Sequence, residues 1–377
     1  MNKLDELIQT LCPDGVEYKT IGEITNISRG KVMSKDYLRE NKGEYPVYSS
    51  QTENNGMLGA ITTYAYDGEY LTWTTDGANA GTVFYRTGKF SITNVCGLID
   101  NTSSNVNTKY LYYVLNKKAP NYVSSGMGNP KLMSNVMSKI TIPIPPLEVQ
   151  EEIVHLLDDF TAKTAELQNK IHEELEARKK QYEYQKEKLL THNNDAITYT
   201  ISELCSVSAG GDAPKNAMSK EITKEYTIPI ISNGVRENAI YGYTNKARIC
   251  EPAVTLAARG TIGYAEYRDY PYVPIIRLLN LIPKNTQVLD TKYLYYCLTD
   301  KKYTLPTTGI PQLTAPMVKK IEISVPKIEI QKEIVKILDE YNIFYRDLQD
   351  NLNNEIESRQ KQYEFYRDKL LTLKELK

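Results

Sequence analysis

The stretch IPIPPLEVQEEIVHLLDDF occupies residues 142–160, and ISVPKIEIQKEIVKILDEY occupies residues 323–341. The two align without a gap, and the match runs on to QYEYQKEKLLT (181–191) against QYEFYRDKLLT (362–372). Roughly twenty of the fifty or so aligned positions are identical, which marks an internal repeat. Upstream, GNPKLMSNVMSKITI (128–142) faces GIPQLTAPMVKKIEI (309–323), and TKYLYYVLNKK (108–118) faces TKYLYYCLTDKK (291–302). TIGEITNISRG (20–30) likewise faces TISELCSVSAG (200–210). The chain is a tandem duplication. Residues 31–107 and 211–290 share little beyond scattered Gly and Tyr, so the two modules hold a common frame and differ in the middle.

Inside the repeat, Ile153, Leu157, Phe160, Leu167, Ile171, Leu175, Tyr182 and Leu189 recur at steps of three, four and seven, one face of a helix. Ile334, Leu338, Tyr341, Leu348, Leu352, Ile356, Tyr363 and Leu370 keep the same face in the second copy. No Pro or Gly interrupts either segment, so each predicts a helix of about 45 residues, roughly 65–70 Å long. Such a stripe cannot be buried alone, and the obvious partner is the other copy. Ile153, Leu157, Leu167, Ile171, Tyr182 and Leu189, with Ile334, Leu338, Leu348, Leu352, Tyr363 and Leu370, are expected in that helix–helix seam. Ahead of each helix, runs such as YPVYSS, YLTWTT, TVFYR, YTIPIIS and AVTLAARG are short, β-branched or aromatic, and bounded by Gly, Asn and Asp. The expected fold class is α+β: mixed α/β globular domains at 1–141 and 192–322, each followed by a long helical segment, 142–191 and 323–377.

Composition narrows the function. With 377 residues, 25% charged and 41% apolar, the chain is long enough for two or three cored domains. The start, MNKLDELIQTLC, is acidic and lacks an apolar h-region, so no secretory leader is expected, and no apolar run reaches the length of a membrane span. Cys12, Cys96, Cys205, Cys250 and Cys297 are odd in number and far apart, which argues against a disulfide framework or zinc site and for a cytoplasmic protein. The formal net charge is -1. It divides unevenly, roughly +1 and +3 on the globular parts against roughly -4 and -1 on the helical segments. PDGVEYK (13–19) has the Asp14, Glu17 and Lys19 of a nuclease-like pattern, but metal-binding carboxylates of that kind come from separate strands. There is no GxxxxGK[ST] phosphate loop. His155, His172 and His192 are the only histidines, a poor supply for acid–base chemistry.

LCPDGVEYKTIGEITNISRGK near the start looks like the lead-in to a target-recognition domain. IPIPPLEVQEEIVHLLD and ISVPKIEIQKEIVKILD look like the junctions into that family's helices. Over nearly its whole length the chain resembles the specificity subunit of a type I restriction–modification system. The resemblance implies a subunit without catalytic activity of its own. Each globular domain would read one half of a bipartite site in double-stranded DNA. The two helices would pack as an antiparallel coiled coil with pseudo-twofold symmetry, set the gap between half-sites, and dock two modification (methyltransferase) subunits. No cofactor is implied for this chain; S-adenosylmethionine would bind the modification subunits and ATP the restriction subunits. The residues taken alone also allow a coiled-coil interaction protein whose globular domains bind a protein or glycan.

For base reading, Arg is matched to guanine and Asn or Gln to adenine. In the first domain, SRGK offers Arg29 and Lys31, and SSQTENNG offers Ser50, Gln51, Asn54 and Asn55. In the second, SNGVREN offers Asn233, Arg236 and Asn238, and ARGTIG offers Arg259 and Thr261. The plainer reading of such Asn- and Gly-rich stretches is an ordinary turn. Lys131, Lys319 and Lys320 suit phosphate contacts or solvated surface. On the helices, Tyr184 and Tyr366 lie off the seam and are candidates for a partner interface.

Overall fold

The computed structural model describes residues 3–124, 128–191, 195–305 and 311–376. His192 lies outside them. The chain divides into two compact units, residues 1–171 with 353–377, and residues 172–352. Each unit therefore combines one globular part with portions of both long helices, Leu147–Thr191 and Ile328–Leu370.

In the first unit, β1 (Glu17–Thr20) leads into a one-turn helix, Ile21–Ile24, whose start is closed by a capping box. The Thr20 backbone N–H donates to the Glu23 carboxylate at 2.6 Å, satisfying an end group that the helix cannot satisfy itself. Then follow β2 (Thr25–Arg29), β3 (Lys42–Tyr48), β4 (Met57–Ile61), β5 (Tyr66–Thr74), β6 (Val83–Ile92) and β7 (Cys96–Asn101). They form one sheet in the order β2-β7-β5-β6-β3-β4. The sheet is antiparallel except at β3–β6, where Val47 faces Ser91 and Tyr48 faces Ile92 in parallel. The helix Thr108–Lys118 is capped by the Asn107 side chain, which accepts from the backbone of Lys109 and Tyr110. It buries Tyr110, Leu111, Val114 and Leu115 against Leu71, Trp73 and Ile99 of the sheet. β8 (Thr141–Ile144) pairs with β1 and delivers the chain to the first long helix.

The second unit repeats this plan. β9 (Ile197–Thr200) precedes a capping box at Thr200 and Glu203. Next come β10 (Cys205–Ala209), β11 (Ile228–Ile231), β12 (Ile240–Thr244), β13 (Ala253–Leu256), β14 (Ala265–Arg268), β15 (Val273–Pro274) and β16 (Leu279–Pro283). The order β10-β16-β13-β14 matches β2-β7-β5-β6. β11 pairs antiparallel with β12 and parallel with β15, as β3 does with β4 and the end of β6. The middles of the two modules, which share little sequence, thus share their topology. β17 (Glu322–Val325) pairs with β9 and leads into the second long helix.

The repeated junctions have a physical basis. Gln150 is fully buried and donates to the carbonyls of Asn105 (2.8 Å) and Pro145 (2.7 Å), while its Oε1 accepts from the Asn107 N–H at 2.8 Å. Gln331 does the same with Val288, Pro326 and Asp290. One buried side chain thereby satisfies three backbone groups, among them a buried proline carbonyl that would be costly to leave unpaired.

The seam residues divide by depth. Ile153 and Leu157 lie in the core of the first unit, against which Tyr363 and Leu370 pack. Ile334 and Leu338 lie in the core of the second, with Tyr182 and Leu189 against it. Further along, Phe160 meets Tyr363 with ring centroids 5.6 Å apart, and Leu167 and Arg359 border one small cleft. As numbers rise on one helix they fall on the other, so the helices run antiparallel there. Ile171 is buried, and Leu348 and Leu352 are half-buried.

Candidate nucleic-acid interface

Where β2, β3, β5 and β6 of the first unit end, their loops are tied together by short-range hydrogen bonds. The Asn94 N–H donates to the Lys31 carbonyl (3.0 Å), and the Ser49 and Thr93 hydroxyls are 2.8 Å apart. Ser50 Oγ accepts from the backbone N–H groups of Thr75 (2.9 Å) and Asp76 (3.2 Å). The Leu132 N–H then donates to the Thr75 carbonyl at 3.0 Å, bringing Lys131 beside Asp76 with 3.7 Å between their charged groups. One face therefore gathers Lys31, Ser50, Asp76 and Lys131, with Gln51, Asn54 and Asn55 in the adjoining turn.

That turn is shaped by its asparagines. Asn54 and Asn55 both sit in the left-handed region, at φ 49° and 52°, which Asn tolerates better than most residues. Gln51 folds back to donate to the Met57 carbonyl at 2.7 Å. Beneath, the buried Arg86 donates to the Asn55 carbonyl at 2.8 Å and to Thr72 Oγ1 at 3.1 Å, its guanidinium 3.6 Å from the Tyr48 ring centre. The Asn54 and Asn55 side chains are left exposed. Arg29 spans the loops, donating to the Asn94 carbonyl at 3.3 Å and to Ser134 Oγ at 3.4 Å.

The second unit builds the same cluster from other residues. The Ile276 N–H donates to the Gly211 carbonyl (2.9 Å), and the Asn233 side-chain amide donates to the Ile276 carbonyl (2.6 Å). Asn233 Oδ1 accepts from the Ala258 N–H at 2.7 Å, and the Thr261 hydroxyl donates to the Asn233 carbonyl at 2.9 Å. Arg236, at φ 52°, opens the turn 236–239, which stands where 53–56 stands in the first unit. Arg236 and Asn238 are exposed there. Arg259 lies beside Gln312.

Not every sequence candidate joins these clusters. Lys319 and Lys320 end the helix Ala315–Lys319, and the next residue, Ile321, accepts from the Ile201 N–H just ahead of β10. They lie at the opposite end of that strand from the loops. Asn233 is largely committed to its own loops through both ends of its amide. Sequence reasoning missed Asp76, Gln312 and the buried pair Arg86 and Arg268. The turn signal TTDG could have pointed to Asp76, and YRTG against YRDY to the two arginines. Arg268 donates to Thr255 Oγ1 at 3.1 Å as Arg86 does to Thr72, but its Nη2 and Nη1 donate to Glu266 and Tyr270. On the long helices Tyr184 is 63% exposed, and its repeat counterpart is Phe365 at 65%; Tyr366 packs on Phe160 and Phe365. Asp14, Glu17 and Lys19 form no metal-binding group among the described residues.

A family model described as the type I restriction modification DNA specificity domain matches the chain twice, over residues 13–177 and 193–358. A Mycoplasma pneumoniae chain named as a type I specificity subunit is 37% identical over 355 residues, covering 93% of this chain and 96% of that one. A second from the same organism is 37% identical over 323 residues, covering 82% and 96%. Among solved structures, a chain from a study of complex assembly in a type I R-M system is 14% identical and covers 95% of this chain and 98% of its own, at a TM-score of 0.76. The HsdS subunit from Thermoanaerobacter tengcongensis is 14% identical, covers 96% and 97%, and gives a TM-score of 0.57.

Proposed function

The chain belongs to the type I restriction–modification DNA specificity family, and from that premise we infer that it is the sequence-reading subunit of such a complex. Each globular part reads one half of a bipartite site in double-stranded DNA. The observation that carries this reading is the loop cluster built twice on one topology, with matching backbone tethers and different exposed side chains. A shared frame with unlike polar tips suits two unlike half-sites, whereas one glycan or protein ligand would favour like tips.

Base contacts fall to Arg29, Lys31, Ser50, Gln51, Asn54 and Asn55 in one half and to Arg236, Asn238, Arg259 and Thr261 in the other, with Lys131 nearby. Lys319 and Lys320 suit phosphate better than bases. Catalysis is assigned to partners: methyl transfer from S-adenosylmethionine to modification subunits and ATP-dependent cleavage to restriction subunits. Tyr184 and Phe365, equivalent and exposed, suit two equivalent modification subunits. Among the described residues no helix is long and apolar enough to cross a membrane, and a cytoplasmic site of action fits a DNA-reading role.

The test is a methylation map from a methylation-free host co-expressing this chain with its modification subunit. A split motif, two short unlike halves around a fixed gap, is expected. An assembled complex that leaves no motif would sink the reading. Inserting four residues near Glu174 should add about 6 Å of helix and lengthen the gap while leaving both halves unchanged.

A further inference from the structure

The two loop clusters carry one position at which the chemistry is inverted. In the first unit the Leu132 N–H donates to the Thr75 carbonyl, and in the second the Leu313 N–H donates to the Ala258 carbonyl at 2.9 Å. The anchors beneath are equivalent too, Ser50 Oγ under Thr75 and Asn233 Oδ1 under Ala258. The residue after each clamp and the residue before it are therefore neighbours in both units. They are Asp76 with Lys131 in one, Arg259 with Gln312 in the other.

Arg259 is held in a specific way. Its Nε and Nη2 both donate to Gln312 Oε1, at 3.2 and 3.0 Å. That occupies one edge of the guanidinium, and among the described residues the Nη1–Nη2 edge meets no hydrogen-bond acceptor. The latter edge is a two-pronged donor, the shape that matches O6 and N7 of guanine in the major groove. Fixing the fork beforehand also limits the rotamer freedom lost on binding. Asp76 can only accept when ionised. Its Oδ2 takes the Thr75 hydroxyl at 2.8 Å, and its Oδ1 faces Lys131. A carboxylate at a DNA-facing tip is repelled by phosphate, and the base group that would reward it is an exocyclic amino group.

We propose that this paired position determines specificity in both units. Arg259, buttressed by Gln312, reads a guanine in one half-site, and Asp76, beside Lys131, reads a cytosine or adenine amino group in the other. The proposal rests on the DNA-reading function above, and the same map separates the two. A wild-type complex without any split motif overturns both. A split motif with no G·C pair in either half leaves the Arg259 fork nothing to read and overturns this proposal alone.

Given a motif, the assembled complex is remapped with Arg259→Lys, Gln312→Ala and Asp76→Ser. Arg259→Lys keeps the charge and removes the fork. It should relax one G·C position in one half, with discrimination falling on the order of 10- to 100-fold. Gln312→Ala should weaken the same position, and Asp76→Ser should relax one position in the opposite half. Unchanged preferences in Arg259→Lys and Asp76→Ser, or relaxation spread over both halves by either one, overturn the assignment. Should a variant complex methylate nothing, binding of the wild-type complex to duplexes carrying 7-deazaguanine decides. Weakening at one guanine of one half supports the Arg259 fork, and undiminished binding at every guanine overturns it.

Discussion

The indole of Trp73 occupies the space that a β-carbon on Gly97 would need, 2.2 Å from where that atom would stand. The two residues face each other across the β5–β7 pairing, and Trp73 is fully buried with its Nε1–H donated to the Leu132 carbonyl at 2.9 Å. Through Leu132 the same indole supports the strand that carries Lys131 into the loop cluster.

Gly97→Ala should therefore destabilise the first unit by about 1–3 kcal/mol, the usual range for overpacking a filled core. Trp73 is the chain's only tryptophan, so its fluorescence reports unfolding of that unit specifically. A midpoint in urea equal to the wild type's would show that β7 yields without cost.

Gln150 and Gln331 lead to a second expectation. Replacing Gln150 by Leu keeps bulk but orphans the buried Pro145 carbonyl, at about 1–3 kcal/mol for a buried unpaired group, and removes the bonds to the Asn107 N–H and the Asn105 carbonyl. Trp73 fluorescence should register the loss. Gln331→Leu should appear instead as faster amide exchange at Asp290. Equal exchange rates would mean that water replaces the side chain.

Much of this architecture is legible in the sequence, for identifiable reasons. The duplicated junctions repeat because Gln150 and Gln331 must meet the same backbone groups, and the capping boxes Thr20–Glu23 and Thr200–Glu203 repeat for a similar cause. The helices are legible because their stripes run uninterrupted. The shared topology of the middles is not, since register there depends on backbone pairing that many side chains satisfy. The equivalence of Asp76 and Arg259 is hidden for the same reason. The clamps from Leu132 and Leu313 and the anchors Ser50 and Asn233 reveal it.

Alkaline pH should unfold the protein through its tyrosines. The Tyr110 and Tyr293 hydroxyls are pushed up by burial, and those of Tyr113 and Tyr296 by burial and then by hydrogen bonds to Asp158 and Asp339. A hydroxyl whose folded pKa lies above the unfolded value, roughly 10, leaves stability intact below that pH. Above it the unfolded chain releases protons that the folded one retains, and stability falls. Tyrosinate absorbance should rise in two steps, the second coinciding with loss of helical circular dichroism. A single step preceding that loss would contradict the buried assignments.

The segment after the second long helix closes the first unit. The Val16 N–H donates to the Lys374 carbonyl (2.8 Å), the Leu376 N–H returns to the Val16 carbonyl (2.9 Å), and Tyr18 Oη donates to the Leu373 carbonyl (2.7 Å). Gly15 permits this approach, because a β-carbon there would stand 2.8 Å from the Lys374 carbonyl oxygen. Tyr18→Phe removes one of the three bonds and should cost about 0.5–1.5 kcal/mol. Deleting residues 373–377 removes all three and uncovers Leu371, which is 3% exposed, so its cost should exceed that of Tyr18→Phe. Both are read from Trp73 fluorescence in urea. If the deletion unfolds at the wild-type midpoint, the pairing with Val16 contributes nothing to the first unit, and Leu371 is held by the helix alone.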